Sequence, residues 1–403
     1  MDKNEILETA FRVWGKTFYQ TTSLTALATE LGVTKQALYR HFQHKDLLLK
    51  AMGEAVNDRF ADFIRADYEE CHKMNDIAEV QLRLTRVCSA YFMKNRGDFF
   101  FMMVYLLESS QPELSQSEQL ALRGIRMSEI CNANESLSYP SDIRLVMSTV
   151  VFMIASFHSH TDKDGKASSD ELISLYLDTL EAQVSAGLDL PIAYFNDEIY
   201  KKLEEAVHNC ALEPVEDESH QKLLNAVARA VSDAGVCDVS MEMVAQRSGL
   251  SKSSLYSHFE SRGEMLKELF MTEVGRIAAY AEKCSLLSEA PEEQLYLAIM
   301  GIVVFLREKS DVLSILDRLR RRRTDFKKHR FDDKKPFALI YKIFSRIRRA
   351  DGSHLVNERN TEWILFLIVH LLQCRPATMD YQNIPNESFR ILFKFIAGGI
   401  KSG

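Results

Sequence analysis

The side chains best suited to chemistry gather at two places. Thr34, Lys35, Gln36, Tyr39, Arg40, His41 and Lys45 fall within twelve residues, and Ser251, Lys252, Ser253, Tyr256, Ser257, His258 and Arg262 fall within another twelve. Amide and guanidinium groups make bidentate contacts to the edges of nucleic-acid bases, while hydroxyl and ammonium groups suit phosphates. Nothing in the chain spells catalysis: HExxH, GxSxG, a phosphate loop and a dinucleotide fingerprint are all missing, so no enzyme is expected. His158-Ser-His160, followed by Asp162 and Asp164, offers metal-ligand types. Two histidines at i, i+2 point to different sides of a helix, however, and Asp162-Lys-Asp-Gly lacks the spacing of a calcium loop. A polar turn is expected there, with Ser168 and Glu171 as a capping box and neither metal nor cofactor.

These two clusters are positioned by a repeat. Residues 23–50 align without a gap on residues 240–267 at a shift of 217, with 10 of 28 positions identical. Ser23/Ser240, Ala28/Ala245, Gly32/Gly249, Lys35/Lys252, Leu38/Leu255, Tyr39/Tyr256, His41/His258 and Phe42/Phe259 are among them. The same shift carries 142–159 onto 359–376 and 169–184 onto 386–401, where Leu172, Leu175 and Tyr176 fall on Phe389, Leu392 and Phe393. An i, i+3, i+4 apolar face persists while the letters drift, so the chain reads as two copies of one all-helical unit of roughly 200 residues.

Each copy begins with the same local devices. Ile6, Leu7, Ala10, Phe11, Val13, Trp14 and Phe18 give an apolar stripe over residues 5–19. Ser23 caps a short second helix that Gly32 ends, and Thr34 caps the next, Lys35 to Phe42. Two helices joined by so short a glycine-containing turn cross steeply, which is a helix-turn-helix. Ser240, Gly249, Ser251 and Leu255 repeat the pattern.

These residues resemble the TetR-type transcriptional regulators. The match runs through Ala10, Phe11, Ala28, Gly32, Val33, Thr34, Leu38, Tyr39, His41, Phe42, Lys45 and Leu49. In the second copy it runs through Gly235, Val244, Ala245, Gly249, Leu250, Ser251, Leu255, Tyr256, His258, Phe259 and Leu266. It covers about 45 residues per copy, and the remainder is similar only in being helical, apolar and of suitable length.

In a helix-turn-helix the second helix lies in the major groove while its flanks hold phosphates. Lys35, Gln36 and Arg40 are therefore expected to read bases, with Thr34, Tyr39, His41 and Lys45 on the backbone. The second set is Lys252, Ser253 and Ser257 for bases, and Ser251, Tyr256, His258 and Arg262 for phosphates. Phe42 and Phe259 are expected in the core. Residues 33–50 carry net charge +3 and residues 250–267 net +1, so the first head should hold DNA more strongly.

The resemblance implies helical bodies with an apolar effector pocket, for which Met102, Met103, Tyr105, Phe152, Phe157 and His158 are the candidates. It also implies pairing through the last two long helices, here 142–160/169–186 with 359–374/386–400. One polypeptide would then reproduce a dimer, with a homodimer as the open alternative. Expected boundaries are a head at 1–52, a body at 53–190, a connecting helix and acidic linker at 191–218, a head at 219–270 and a body at 271–403. Glu213-Pro-Val-Glu-Asp-Glu218 marks the joint, and Phe195 to Cys210 reads as an amphipathic connecting helix.

Outside the heads, 318–335 carries ten basic and three acidic residues and reads as a solvated face, whereas the whole chain has net charge −7. Seven dispersed cysteines, no secretory leader and no apolar run of about 18 residues point to a reducing cytoplasm without a membrane span. The expected function is a repressor-like regulator binding a double-stranded, imperfectly palindromic or asymmetric operator under control of a small molecule. The rival is a helical ligand-binding or protein-binding adaptor whose heads no longer read DNA.

Overall fold

The structure is a computed structural model that describes residues 2–14, 23–108, 116–126, 139–164, 169–211, 218–234, 239–308, 334–373 and 381–402. The joint at 213–217, Ser168, Gly235, residues 318–333 and the side chain of Tyr105 lie outside the described residues. Among the described residues the regular elements are helical and no strand forms, the all-α class that the sequence predicts. The chain divides into two compact units, Met1–Ser185 and Ala186–Gly403.

The first unit runs α1 (Lys3–Trp14), α2 (Leu24–Glu30), α3 (Lys35–His41), α4 (Lys45–Cys71), α5 (Ile77–Lys94), α6 (Arg96–Glu108), α7 (Gln116–Ala121), α8 (Tyr139–Asp164) and α9 (Asp170–Ala186). The stripe Ile6, Leu7, Ala10 and Phe11 closes on Leu24, Leu27, Ala28, Leu38 and Phe42, and on Leu48 and Met52 of α4. Burying each large apolar side chain of such a set contributes about 1.5–3 kcal/mol, which is what holds helices as short as α2 and α3 in place. Phe101 and Met102 of α6 enter the same core. The Phe11 and Phe101 rings meet edge to face at 5.6 Å, and Gly97 lets α1 approach where a Cβ would lie 3.2 Å from Phe11. Further along, Phe60, Ile64 and Tyr68 of α4 pack with Val80, Leu84 and Tyr91 of α5. At the start of α9 the hydrogen-bonded cap is Ser169, whose Oγ accepts from Leu172 N at 3.2 Å, one residue beyond the expected Ser168.

The second unit holds α10 (Asp197–His208), α11 (Glu218–Ala234), α12 (Met241–Ser248), α13 (Lys252–His258), α14 (Arg262–Ser285), α15 (Pro291–Glu308), α16 (Lys334–Phe344), α17 (Glu358–Gln373) and α18 (Asn386–Gly398). Leu223, Leu224, Val227, Val231, Val244, Leu255 and Phe259 form its head core. Helix α15 is buried nearly all round from Leu295 to Val303, as its unbroken apolar sequence requires.

The stretch read from the sequence as a connector is built into this second unit. The ring of Tyr200 on α10 meets that of Tyr296 at 5.0 Å, and Phe195 meets Phe393 at 5.0 Å. Glu204 accepts from Arg390 Nε at 2.7 Å and Nη2 at 3.0 Å, from Tyr296 OH at 2.7 Å and from Asn386 Nδ2 at 3.0 Å. Burial works to raise the Glu204 pKa, yet these hydrogen bonds outweigh it and hold the carboxyl below its usual range. Just upstream, Leu188 N donates to Ile396 O at 2.8 Å and Leu190 N to Ala397 O at 2.9 Å. Gly187 sits at φ +57, and a Cβ there would fall 2.4 Å from Ile396 O, so only glycine fits.

Candidate nucleic-acid interface

Each head presents a seven-residue helix whose inner face is held by one buried leucine and a following phenylalanine. Leu38 and Leu255 are fully buried, and Phe42 and Phe259 are 2% exposed. The caps are those expected: Ser23 Oγ accepts from Ala26 N at 3.1 Å and Thr34 Oγ1 from Ala37 N at 3.2 Å. In the second head Ser240 Oγ accepts from Met243 N at 3.2 Å and Ser251 Oγ from Ser254 N at 3.0 Å. Gly32 at φ +66 and Gly249 at φ +70 supply the left-handed residue that lets the chain turn between the helices.

This scaffold brings the expected contact residues onto one surface in each head. Thr34, Lys35, Gln36, Tyr39, Arg40 and His41 are exposed, with Lys45 half-buried at the start of α4. Ser251, Lys252, Ser253, Tyr256, Ser257 and His258 are exposed likewise, with Arg262 half-buried at the start of α14. Such a row of donors along a short exposed helix can enter a groove and meet base edges and phosphates together.

The two rows are not in the same state. In α3, Lys35 Nζ lies over the Tyr39 ring, 5.5 Å from its centroid. In α13, Lys252 is engaged by Glu242 of α12, which raises the ammonium pKa and lowers that of the carboxyl through their hydrogen bond. Ser257 Oγ donates back to Ser254 O at 2.6 Å. Two of the three expected base readers of the second head thus already have partners within it. Sequence reasoning missed Glu242; the signal was available, since at the shift of 217 it stands opposite Thr25, an uncharged residue.

Behind the heads, the junctions with the bodies also differ. Arg59 on α4 donates from Nη1 to Glu8 Oε1 at 3.2 Å, from Nη2 to Asp98 Oδ1 at 2.6 Å and from Nε to Asp98 Oδ2 at 3.2 Å. Its guanidinium also covers the Phe11 ring at 4.6 Å, so α1, α4 and α6 meet at one side chain. The equivalent Arg276 bonds Glu273 at 3.2 Å, and Gln221 of α11 donates to the same carboxylate at 3.2 Å.

Of the expected pocket residues, the side chain of Tyr105 lies outside the described residues. Met102 belongs to the core shared by head and body. Phe157 and His158 belong to a ring cluster, with Phe99 and Phe100 around the imidazole at 5.5 and 5.8 Å and Tyr176 edge-on to Phe157 at 5.3 Å. His158 Nε2 donates to Phe92 O at 2.9 Å, which fixes its tautomer and occupies that nitrogen. Phe152 is buried at 2% exposure and Met103 is half-buried.

The model for bacterial regulatory proteins of the tetR family matches residues 6–52 and 223–269, two segments again 217 residues apart. A solved structure, the TetR family transcriptional regulator PfmR from Thermus thermophilus, is similar at 21% sequence identity over 44% of this chain and 98% of that one, with a TM-score of 0.32. No curated protein matches the chain.

Proposed function

We propose that this chain, a tandem duplication carrying two domains of the tetR family of bacterial regulatory proteins, grips one DNA operator with both of its heads. It works in the cytoplasm as a single-chain pseudo-dimer and acts as a repressor. Its operator is asymmetric or imperfectly palindromic, because one head offers Gln36 and Arg40 where the other offers Ser253 and Ser257. The observation that carries this reading is the pair of exposed helices α3 and α13, equal in length, caps and anchoring leucine, yet unequal in donors. Half-sites about one DNA turn apart, roughly 34 Å, are what paired helix-turn-helix units reach.

Control falls to an apolar small molecule in the body. Support for that comes from the ring cluster of Phe99, Phe100, Phe157 and His158, since α6 carries both Phe99 and the Phe101 that enters the head core. A ligand that prefers one position of α6 biases the head through that shared core.

Selection from random DNA, followed by footprinting of the full chain and its Gln36→Ala and Arg40→Ala variants, tests the reading. A protected site spanning two unequal half-sites, weakened by both variants, is expected. Unchanged binding by both variants removes the reading-helix assignment, and absence of DNA binding at low salt returns the chain to the adaptor reading. Light scattering at binding concentrations gives about 46 kDa for the pseudo-dimer; a chain pair would carry four heads and contradict it.

A further inference from the structure

The second head has an open groove of about 460 Å³ that no expected contact residue lines. Lys222, Asn225 and Arg229 on α11 form one wall, and Arg247, Ser248 and Leu250 at the end of α12 form the other. Lys222 and Arg229 are seven residues apart on one helix face, about 10 Å along the axis. Arg247 Nη1 is held by Asp233 at 2.5 Å, the Arg247 side chain 37% and the Asp233 side chain 60% exposed, so the guanidinium stays in reach of solvent. Gln221 Nε2 donates to Asn225 Oδ1 at 3.0 Å. With Oδ1 occupied, the Asn225 amide nitrogen is left as a donor.

The first head supplies the internal control. At the shift of 217, Lys222, Asn225, Arg229 and Arg247 stand where it has Glu5, Glu8, Arg12 and Glu30. Four positions thus carry net charge +3 in one head and −2 in the other. In the first head Arg12 pairs with Glu30 at 3.8 Å and Glu8 with Arg59 at 3.2 Å, as Arg247 pairs with Asp233 in the second. The difference runs opposite to that on the reading helices, where the first head is the more basic and where Lys252 of the second is engaged by Glu242.

We propose that this groove holds sugar-phosphate backbone of the DNA bound by the second head, making that head a sequence-tolerant grip and the first head the reader. The inference rests on the DNA-binding reading above and adds to it a site outside the reading helix. Cations spread over two helical turns along an open groove suit a row of phosphates better than a single compact anion. Leu250 lies next to Ser251, the cap of α13, which places the groove beside the reading helix. Phosphate contacts set affinity and its salt dependence while leaving sequence preference alone.

The test is binding of the full chain to duplex DNA carrying a selected first half-site and either the selected or a scrambled second half-site, titrated across salt. Lys222→Gln/Arg229→Gln/Arg247→Gln is compared with wild type and with Lys201→Gln/Lys202→Gln, exposed cations of α10. Circular dichroism of each variant reports whether the helices are retained. The triple variant is expected to bind both duplexes more weakly by the same factor and to lose about one unit of salt slope per residue, two to three in all. A Lys222→Gln/Arg229→Gln double variant, which keeps the Arg247–Asp233 pair, is expected to lose about two. Unchanged affinity and slope in a folded variant overturn the groove assignment but leave the regulator reading standing, also if polyglutamate binds wild type and not the variant. A loss confined to the selected second half-site overturns it too, by showing sequence readout, and failure of wild type to bind any duplex overturns both.

Discussion

The two heads close around the same interior. Ser23 and Ser240, Thr34 and Ser251, Gly32 and Gly249, Leu38 and Leu255, and Phe42 and Phe259 occupy matched places and do matched work. Their exteriors have parted in places, although Lys35, Tyr39 and His41 are kept as Lys252, Tyr256 and His258. Gln36 and Arg40 face serines across the repeat, Thr25 faces Glu242, and Glu5, Glu8 and Glu30 face Lys222, Asn225 and Arg247. Caps, the left-handed glycine and the buried leucine are fixed by backbone geometry and packing, which tolerate little change. Exposed positions carry no such constraint, so a duplicated head can keep its fold while its chemistry is reassigned.

If the interiors are equivalent, Leu38→Ala and Leu255→Ala are each expected to destabilise their head by about 2–5 kcal/mol and by similar amounts. Hydrogen exchange of the two heads measures this, and a large inequality would break the equivalence. Arg40→Ala is expected to weaken operator binding by about 1–3 kcal/mol, roughly fivefold to 150-fold, as one lost base contact should. Ser257→Ala is expected to change it by no more than about fivefold, because a single neutral hydrogen bond contributes about 1 kcal/mol. Competition binding with both variants sharpens or removes the contrast. Ser23→Ala and Ser240→Ala should each lower stability by about 1 kcal/mol, seen as matched shifts in melting temperature. Glu242→Thr, which copies Thr25 and releases Lys252, is expected to give a few-fold tighter binding and about one more unit of salt slope.

Local features were legible in the sequence. The caps and turn glycines depend on neighbours three or four residues away, and the repeat shows at 217 because cap, turn and anchoring positions such as Ser23, Gly32, Leu38 and Phe42 and exposed positions such as Lys35, Tyr39 and His41 kept their letters. The tertiary partners of surface and connector residues were not. The period of Tyr200, Leu203 and Val207 predicts an apolar face on α10, but nothing local says that this face meets Tyr296 and Phe393 or that Glu204 pairs with Arg390, 186 residues on. Likewise Glu242 and Lys252 are ten residues apart on different helices, and only the fold brings them together. The pocket candidates shared an apolar character that serves packing equally well, and Met102 proves to lie in the core between head and body.

The most direct test of unequal heads is a binding profile of the full chain over every single base substitution in its selected operator. One half-site is expected to show steep penalties of about 1–3 kcal/mol per mismatch and the other a shallow profile. Equal, mirror-related penalties in both half-sites would contradict it.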